Sequence, residues 1–368
     1  GHSVKGENTM IFDSTKMQTL RTKWIREPDS LVPRIVWLDR SDRCDGERQL
    51  LEELVQTVDE SKARQWIGGL LSGSEIRFMS AWFEMLLYHW LRKIGSVEVE
   101  PDIEGNRPDF GLTLNGSLVA IEARASLLKQ SERDYRTRES ELYHVLRQIE
   151  LPFMVEVTEF EVPDMFDSGE FAVELEQWLS SSPDTQFAYQ DRRGNRVGLS
   201  ATRLPSLDKI GVAGPFRTLS ARPERVKSPL KKKAGQHKAL RDKGYPYVIA
   251  ILLESILLSV EEVVEAWLGE QQMVIDVVSG QVVDHVTDRC GLHFFADRIR
   301  HTTVSGTLAF KIRYNHLFKR RELRAWYVEN PYAAVPIDPM LFPVESRFVV
   351  VERASSQVSM RWQPEDVT

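Results

Sequence analysis

Residues Asn106 to Ser126 read NRPDFGLTLNGSLVAIEARAS, and the pair Asn115-Gly116 near their centre decides how the stretch is laid out. Asn-Gly between two alternating runs is a strong signal for a two-residue hairpin, because a type I′ turn needs positive φ at both central positions. The turn sets Leu114 against Ser117, and counting outward along both arms brings Asp109 opposite Glu122. Residues directly opposite share a face, with Cβ atoms about 5 Å apart. One face of the expected hairpin then carries Phe110, Leu112, Leu114, Val119 and Ile121, an ordinary core face. The other carries Asp109, Gly111, Thr113, Leu118, Ala120, Glu122 and Arg124. A slip of one residue would turn one carboxylate to the core side, so the turn assignment governs the rest.

Like charges facing each other destabilise a hairpin unless something compensates them. Two readings meet that requirement. A divalent ion, Mg²⁺ or Mn²⁺, binds through one or two carboxylates while water and phosphate oxygens complete its shell. Alternatively, Arg107 and Arg124, which the same register places across from one another, neutralise an ionic surface patch.

The flanking segments give the hairpin its setting. Upstream, Glu75 to Ile94 reads as a helix capped by Ser74 and ended by Gly95. Its apolar residues, among them Phe78, Met79, Trp82, Phe83, Leu86 and Leu87, cover most of the circumference, which predicts burial. Glu84 and His89 are its polar exceptions. A short strand is expected at 97–99. Downstream, a charged helix over 131–149 leads into a strand over 153–162, and residues 164–222 read as an insertion. The next helix has Ser228 as N-cap, Pro229 at its first position and Gly244 just past its end. It delivers the chain into Tyr247 to Leu253, an unbroken apolar run suited to a strand covered on both faces. A helical leader (1–74, clearest over Gly46 to Gln65) precedes this core, taken as 75–255, and a β-rich α+β extension (256–368) follows it.

Pro108-Asp109 followed by Glu122-Ala123-Arg124 at the end of the next strand resembles the PD-(D/E)XK nuclease motif, with Arg at the position where that family has Lys. The order helix, three strands, helix, strand is similar to the family's restriction-endonuclease-like αβββαβ core, an α/β fold with a mixed sheet flanked by helices. Glu84 matches the Glu often supplied by the first helix of that core. The resemblance spans roughly 75–255 outside the insertion. It implies Glu84, Asp109, Glu122 and Arg124 as the catalytic set, with Mg²⁺ or Mn²⁺ held by Asp109, Glu122 and the carbonyl of Ala123. Glu84 would reach the metal directly or through water. In the family, the Lys helps orient or activate the attacking water. Arg124 stays protonated and cannot be a general base, yet it can hold phosphate in a fork. Lys233 or Lys238 are candidate substitutes for the missing Lys. Lys231, Lys233 and Lys238 are candidate nucleic-acid contacts, set against the reading of a solvated helix face.

Composition narrows the classes. The 368 residues are 42% hydrophobic and 28% charged, enough for a sizeable core. No run of about 18 apolar residues predicts a membrane span, and no secretory signal is legible. Two cysteines without metal-ligand spacing fit a reducing cytoplasm. A net charge of −6 weighs against a protein that passively coats DNA, and little against a nuclease with a locally acidic site. The eight histidines include no zinc-binding spacing, and no nucleophile elbow or phosphate loop is present. The expectation is a metal-dependent nuclease with DNA favoured over RNA, in bacterial defence or genome maintenance by analogy. The alternatives are a catalytically inactive nucleic-acid-binding or assembly subunit of the same fold and, less favoured, a different enzyme using the acidic pair. A homodimer or larger assembly stays open.

Overall fold

The computed structural model describes residues 10–27, 32–126, 130–162, 167–181, 186–207, 209–213, 224–254, 259–269, 271–275, 282–287, 291–292, 294–295, 298–353 and 358–364. The chain divides into two compact units, one of Gly1–Lys23, Pro33–Leu127 and Ala221–Thr368, the other of Trp24–Val32 and Leu128–Ser220.

Helices α1 (Thr15–Trp24) and α2 (Arg34–Arg40) are followed by α3 (Asp45–Val55) and α4 (Glu60–Leu70). The single helix expected from Gly46 breaks in two because Asp59 accepts hydrogen bonds from the N–H groups of Ser61 and Lys62, a cap that starts a new helix. Helix α5 (Glu75–Leu91) starts at Ser74, whose hydroxyl accepts from the N–H of Arg77. Strands β1 (Ser96–Val99), β2 (Phe110–Leu114) and β3 (Ser117–Ser126) then run antiparallel. Leu114 pairs with Ser117 and Phe110 with Ile121. Both turn residues have positive φ, 48° at Asn115 and 83° at Gly116, as a type I′ turn demands.

The smaller unit holds α6 (Gln130–Gln148), β4 (Phe153–Glu161), α7 (Ser168–Ser180), β5 (Phe187–Gln190), β6 (Arg196–Arg203) and β7 (Gly211–Ala213). Its four-stranded sheet has the order β5-β6-β4-β7 and its own core around Leu146, Val155, Phe171, Leu175 and Leu199. The sequence reading placed α6 and β4 in the nuclease-like core and began the insertion near 164. Instead, β4 pairs with β6 and β7, so both elements belong to the smaller unit. The alternation in β4 explains this: Val155 and Val157 are buried while Glu156 and Thr158 are exposed, the pattern of a sheet covered on one side.

The chain returns to the larger unit through α8 (Glu224–Ala234), α9 (Lys238–Asp242) and β8 (Tyr247–Leu253). Next come α10 (Glu261–Leu268) and two ribbons, β9 (Gln271–Ile275) with β10 (Val282–Thr287) and β11 (Phe294–Phe295) with β12 (Arg298–Ile299). Strands β13 (Gly306–Asn315), β14 (Arg320–Glu329), β15 (Ser346–Arg353) and β16 (Val358–Pro364) complete an eight-stranded mixed sheet. Its order is β1-β2-β3-β8-β13-β14-β15-β16, so the C-terminal strands extend the same sheet as the hairpin. Every residue of β8 is buried, as its unbroken apolar run predicts, and it lies parallel between β3 and β13.

Two helices cover opposite faces beside the hairpin. Phe110 stacks on Tyr88 of α5, whereas Ala120, on the other face of the pleat, packs with Val226 and Leu230 of α8. Helix α8 differs from expectation, beginning at Glu224 with Pro229 inside it. An interior proline costs roughly 3 kcal/mol, and the buried stripe Val226, Leu230 and Ala234 offsets it by giving the extra turn a core contact. Gly244, φ 76°, ends α9 rather than α8. Its N–H reaches the Arg241 carbonyl at 3.1 Å and the N–H of Tyr245 reaches Leu240 at 3.0 Å, a Schellman pair. Among the described residues no helix is long and apolar enough to cross a membrane.

Candidate functional site

The β2–β3 ladder ends at Phe110 and Ile121, and Asp109 lies one residue beyond it in a bend. The expected register holds, but Asp109 does not complete the ladder as a cross-strand partner of Glu122. Its Oδ2 instead accepts the N–H of Ala123 at 2.7 Å, capping the edge of β3 that β2 leaves open. The carbonyl of Ala123 faces the same edge, because N–H and C=O of one strand residue project to one side. The N–H of Ala120, reaching Pro246 at 2.9 Å, fixes the opposite parity for the β8 side.

Glu122 is 5% exposed and shares the α8 face with Ala120. Lys233 Nζ contacts its Oε1, and His237 Nε2 lies 3.1 Å from its Oε2. Two groups hold this arrangement. The Tyr247 hydroxyl donates to the Lys233 carbonyl at 3.0 Å, and its ring meets the His237 ring edge-on at 5.6 Å. His237 itself has φ 50°, a left-handed residue between α8 and α9 that turns its ring back toward β3.

The two carboxylates are tuned apart. Burial pushes Asp109 up to about 7, and the charges of Glu122 and Glu84 push the same way. Burial also pushes Glu122 up, but hydrogen bonds and charge from His237 and Lys233 outweigh it and hold Glu122 below the ordinary range. Burial, then Glu122 and Asp109, drive the Tyr247 phenol well above its usual value, so it stays a neutral donor.

The remaining candidates fall into different roles. Glu84 Oε2 accepts from Lys62 Nζ and Trp66 Nε1, each at 3.1 Å, and Lys62 also reaches Glu100 Oε1 at 2.6 Å. Lys62, only 3% exposed in its side chain, therefore ties the leader helix α4 into the site. One carboxylate oxygen of Glu84 is thus held in this knot, and its charge acts on Asp109. Arg107 stands outside, 75% exposed in its side chain and 4.0 Å from Asp102. The neutralising role weighed for Arg107 falls to Lys233, with His237 as the second contact of Glu122. Arg124 lies on the Glu122 face with its Nε buried and without a hydrogen-bond partner. Lys231 and Lys238 are exposed and leave the carboxylates to Lys233. Among the described residues, no group of three or more His, Cys, Asp or Glu side chains could hold a metal.

His237, Lys62 and Tyr247 were not singled out from sequence. The spacing of Lys233 and His237, four apart on one expected helix face, was the available signal. No family model matches the chain, and no curated protein or solved structure is detectably similar to it.

Proposed function

We propose that this chain is a metal-dependent nuclease of restriction-endonuclease-like fold, hydrolysing phosphodiester bonds with DNA favoured over RNA. The order α5, β1, β2, β3, α8, β8 supports the αβββαβ reading, with the smaller unit inserted between β3 and α8. The observation that carries the function is the state of Asp109. It is half-buried beside two other acids, and the nearby Lys233 and His237 are both engaged by Glu122.

The donor set suits a hard divalent ion. Asp109 and Glu122 offer carboxylate oxygens and Ala123 a carbonyl on the same edge, the all-oxygen chemistry that Mg²⁺ and Mn²⁺ prefer. When bound, the ion supplies a water of lowered pKa and charge compensation at the phosphate. The protein groups do the positioning. Lys233, from α8, fixes one oxygen of Glu122 and brings positive charge beside the carboxylates. His237 fixes the other oxygen. Arg124 lies on the same face as Glu122, with its buried Nε making no hydrogen bond, and its guanidinium is the candidate phosphate fork.

A specific observation favours a second reading, an inactive nucleic-acid-binding or assembly subunit: both oxygens of Glu122 are already taken. Single-turnover cleavage of labelled single- and double-stranded DNA and RNA in Mg²⁺ and Mn²⁺ separates the two. Cleavage by the wild type that Asp109→Ala abolishes supports the nuclease. Inactivity of the wild type on every substrate gives the second reading the field.

A further inference from the structure

Asp109 is held from both sides. Its carboxylate accepts the N–H of Ala123 on β3, and its backbone carbonyl accepts the N–H of Glu100, just past β1, at 2.9 Å. Glu100 has an unusual backbone. Its φ is 48°, in the left-handed region, where a Cβ crowds the following carbonyl. The next residue is Pro101, and a residue before proline prefers an extended backbone. A non-glycine residue persists in such a conformation only when its surroundings hold it there.

Two contacts do so. Pro101 lies so close over β2 that a Cβ at Gly111 would come within 2.9 Å of its Cγ. The Glu100 side chain, 48% exposed, accepts from Lys62 Nζ at 2.6 Å. Lys62 is anchored in turn. Its ammonium also meets Glu84 Oε2 at 3.1 Å and lies 5.6 Å from the Trp66 ring. The Trp66 ring meets that of Tyr88 at 5.7 Å, and Tyr88 stacks on Phe110, the chain neighbour of Asp109. Burial lowers the Lys62 pKa, but the charges and hydrogen bonds of Glu84 and Glu100 outweigh it, so the ammonium stays charged. A buried cation on α4 thus fixes a strained residue whose N–H is aimed at the Asp109 carbonyl.

We propose that Lys62 is a positioning residue for Asp109, acting through the left-handed backbone of Glu100. This rests on the nuclease reading above for the role of Asp109. It makes helix α4 part of the site, together with the β1–β2 connection and β3.

The test is hydrogen exchange of the Ala123 amide, followed by NMR on the full chain, beside Mn²⁺ binding followed by the paramagnetic resonance of the free ion. Position 100 is the cleaner place to intervene, because its side chain is half exposed. Glu100→Ala removes the tether and keeps the Cβ, so the backbone relaxes out of the left-handed region. Exchange of Ala123 should then quicken about tenfold, and the Kd for Mn²⁺ should rise by about tenfold or more. Glu100→Gly also removes the tether, but glycine accepts positive φ and should keep most of the protection. Lys62→Met should behave like Glu100→Ala, and adding Glu100→Gly to Lys62→Met should restore most of what was lost. A glycine at 100 would not rescue a lysine that served stability alone. Unchanged Ala123 exchange in Glu100→Ala overturns the strut, and so does a Lys62→Met loss that Glu100→Gly leaves uncorrected. Mn²⁺ binding by the wild type with unchanged exchange in the variants sinks the strut and spares the metal site. The expected exchange pattern in a wild type that binds no Mn²⁺ does the reverse.

Discussion

Two carboxylates of the larger unit, the buried Glu47 on α3 and the half-buried Asp109 beside β3, meet opposite treatment. Glu47 is fully buried and receives the Nε and Nη2 of Arg321, the backbone N–H of Arg321, and Trp82 Nε1 at 2.7 Å. The guanidinium is stacked in turn, 4.5 Å from the Trp82 ring and 5.6 Å from the Trp37 ring. Asp109 receives one backbone N–H and faces two further acids. A carboxylate that fastens α3 to β14 carries its own counter-charge; the pair near Ala123 is short of one. The basic run Lys319-Arg320-Arg321 belongs to the first kind. Lys319 pairs with Asp45, Arg320 with Glu322 and Arg321 with Glu47.

The largest effect expected from this contrast is on stability at Glu47. Glu47→Ala strands Arg321 in the interior and should lower the unfolding free energy by about 3–5 kcal/mol in urea titrations. The metal response of the folded fraction should persist. A loss under about 1 kcal/mol would mean that the knot is no more than a surface pair.

Asp109 should produce the opposite signature in pH. Its folded pKa of about 7 lies above the ordinary 3.8, so the folded state holds the proton more tightly across that interval. Its contribution is fully present below about pH 4, declines as pH rises, and is gone above about pH 7, by an amount on the order of 2–4 kcal/mol. Asp109→Asn should remove this decline. Matching pH profiles for wild type and variant would refute the raised carboxyl.

Arg124 tests whether the unpaired guanidinium is waiting for phosphate. Arg124→Ala should slow single-turnover cleavage by on the order of a hundredfold, about 3 kcal/mol, whereas Arg124→Lys should keep the rate or raise it. Full activity in Arg124→Ala would remove the clamp and leave Lys233 as the site's main cation. The smallest effect is thermodynamic. Mg²⁺ or Mn²⁺ at a hundred times its Kd should stabilise the wild type by about 2.7 kcal/mol, seen as a rise in Tm. Asp109→Ala and Glu122→Ala should erase that rise, and a persisting rise in both would locate the ion elsewhere.

The parts of this contrast legible in sequence are those set by local rules. Asn115-Gly116 fixes a turn, the turn fixes a register, and Ser74 and Gly244 mark helix ends through hydrogen bonds a few residues long. Lys233 is legible as a substitute Lys and as a nucleic-acid contact but not as the partner of Glu122, because that contact spans 111 residues and no spacing rule reaches that far. His237 escaped because its role depends on a left-handed backbone at a non-glycine residue. Lys62 escaped because a buried ammonium in a leader helix looks like any surface lysine until the acids from two other elements close around it. The ownership of α6 and β4 was misread for a related reason. Strand type is local, whereas strand partnership is decided by which sheet offers the matching face.

The interposed smaller unit also sets a clock. Glu122 leaves the ribosome with β3, but Lys233 and His237 follow only after 111 and 115 further residues. At roughly 5–20 residues per second, a nascent chain spends on the order of 5–20 s with its acidic half made and its basic half unmade. Strand β13, which closes the far side of β8, comes later still. On the nuclease reading, ribosome-bound chains arrested before α8 should neither take up Mn²⁺ nor cut, and cleavage by such a truncated chain would show that the acidic half suffices.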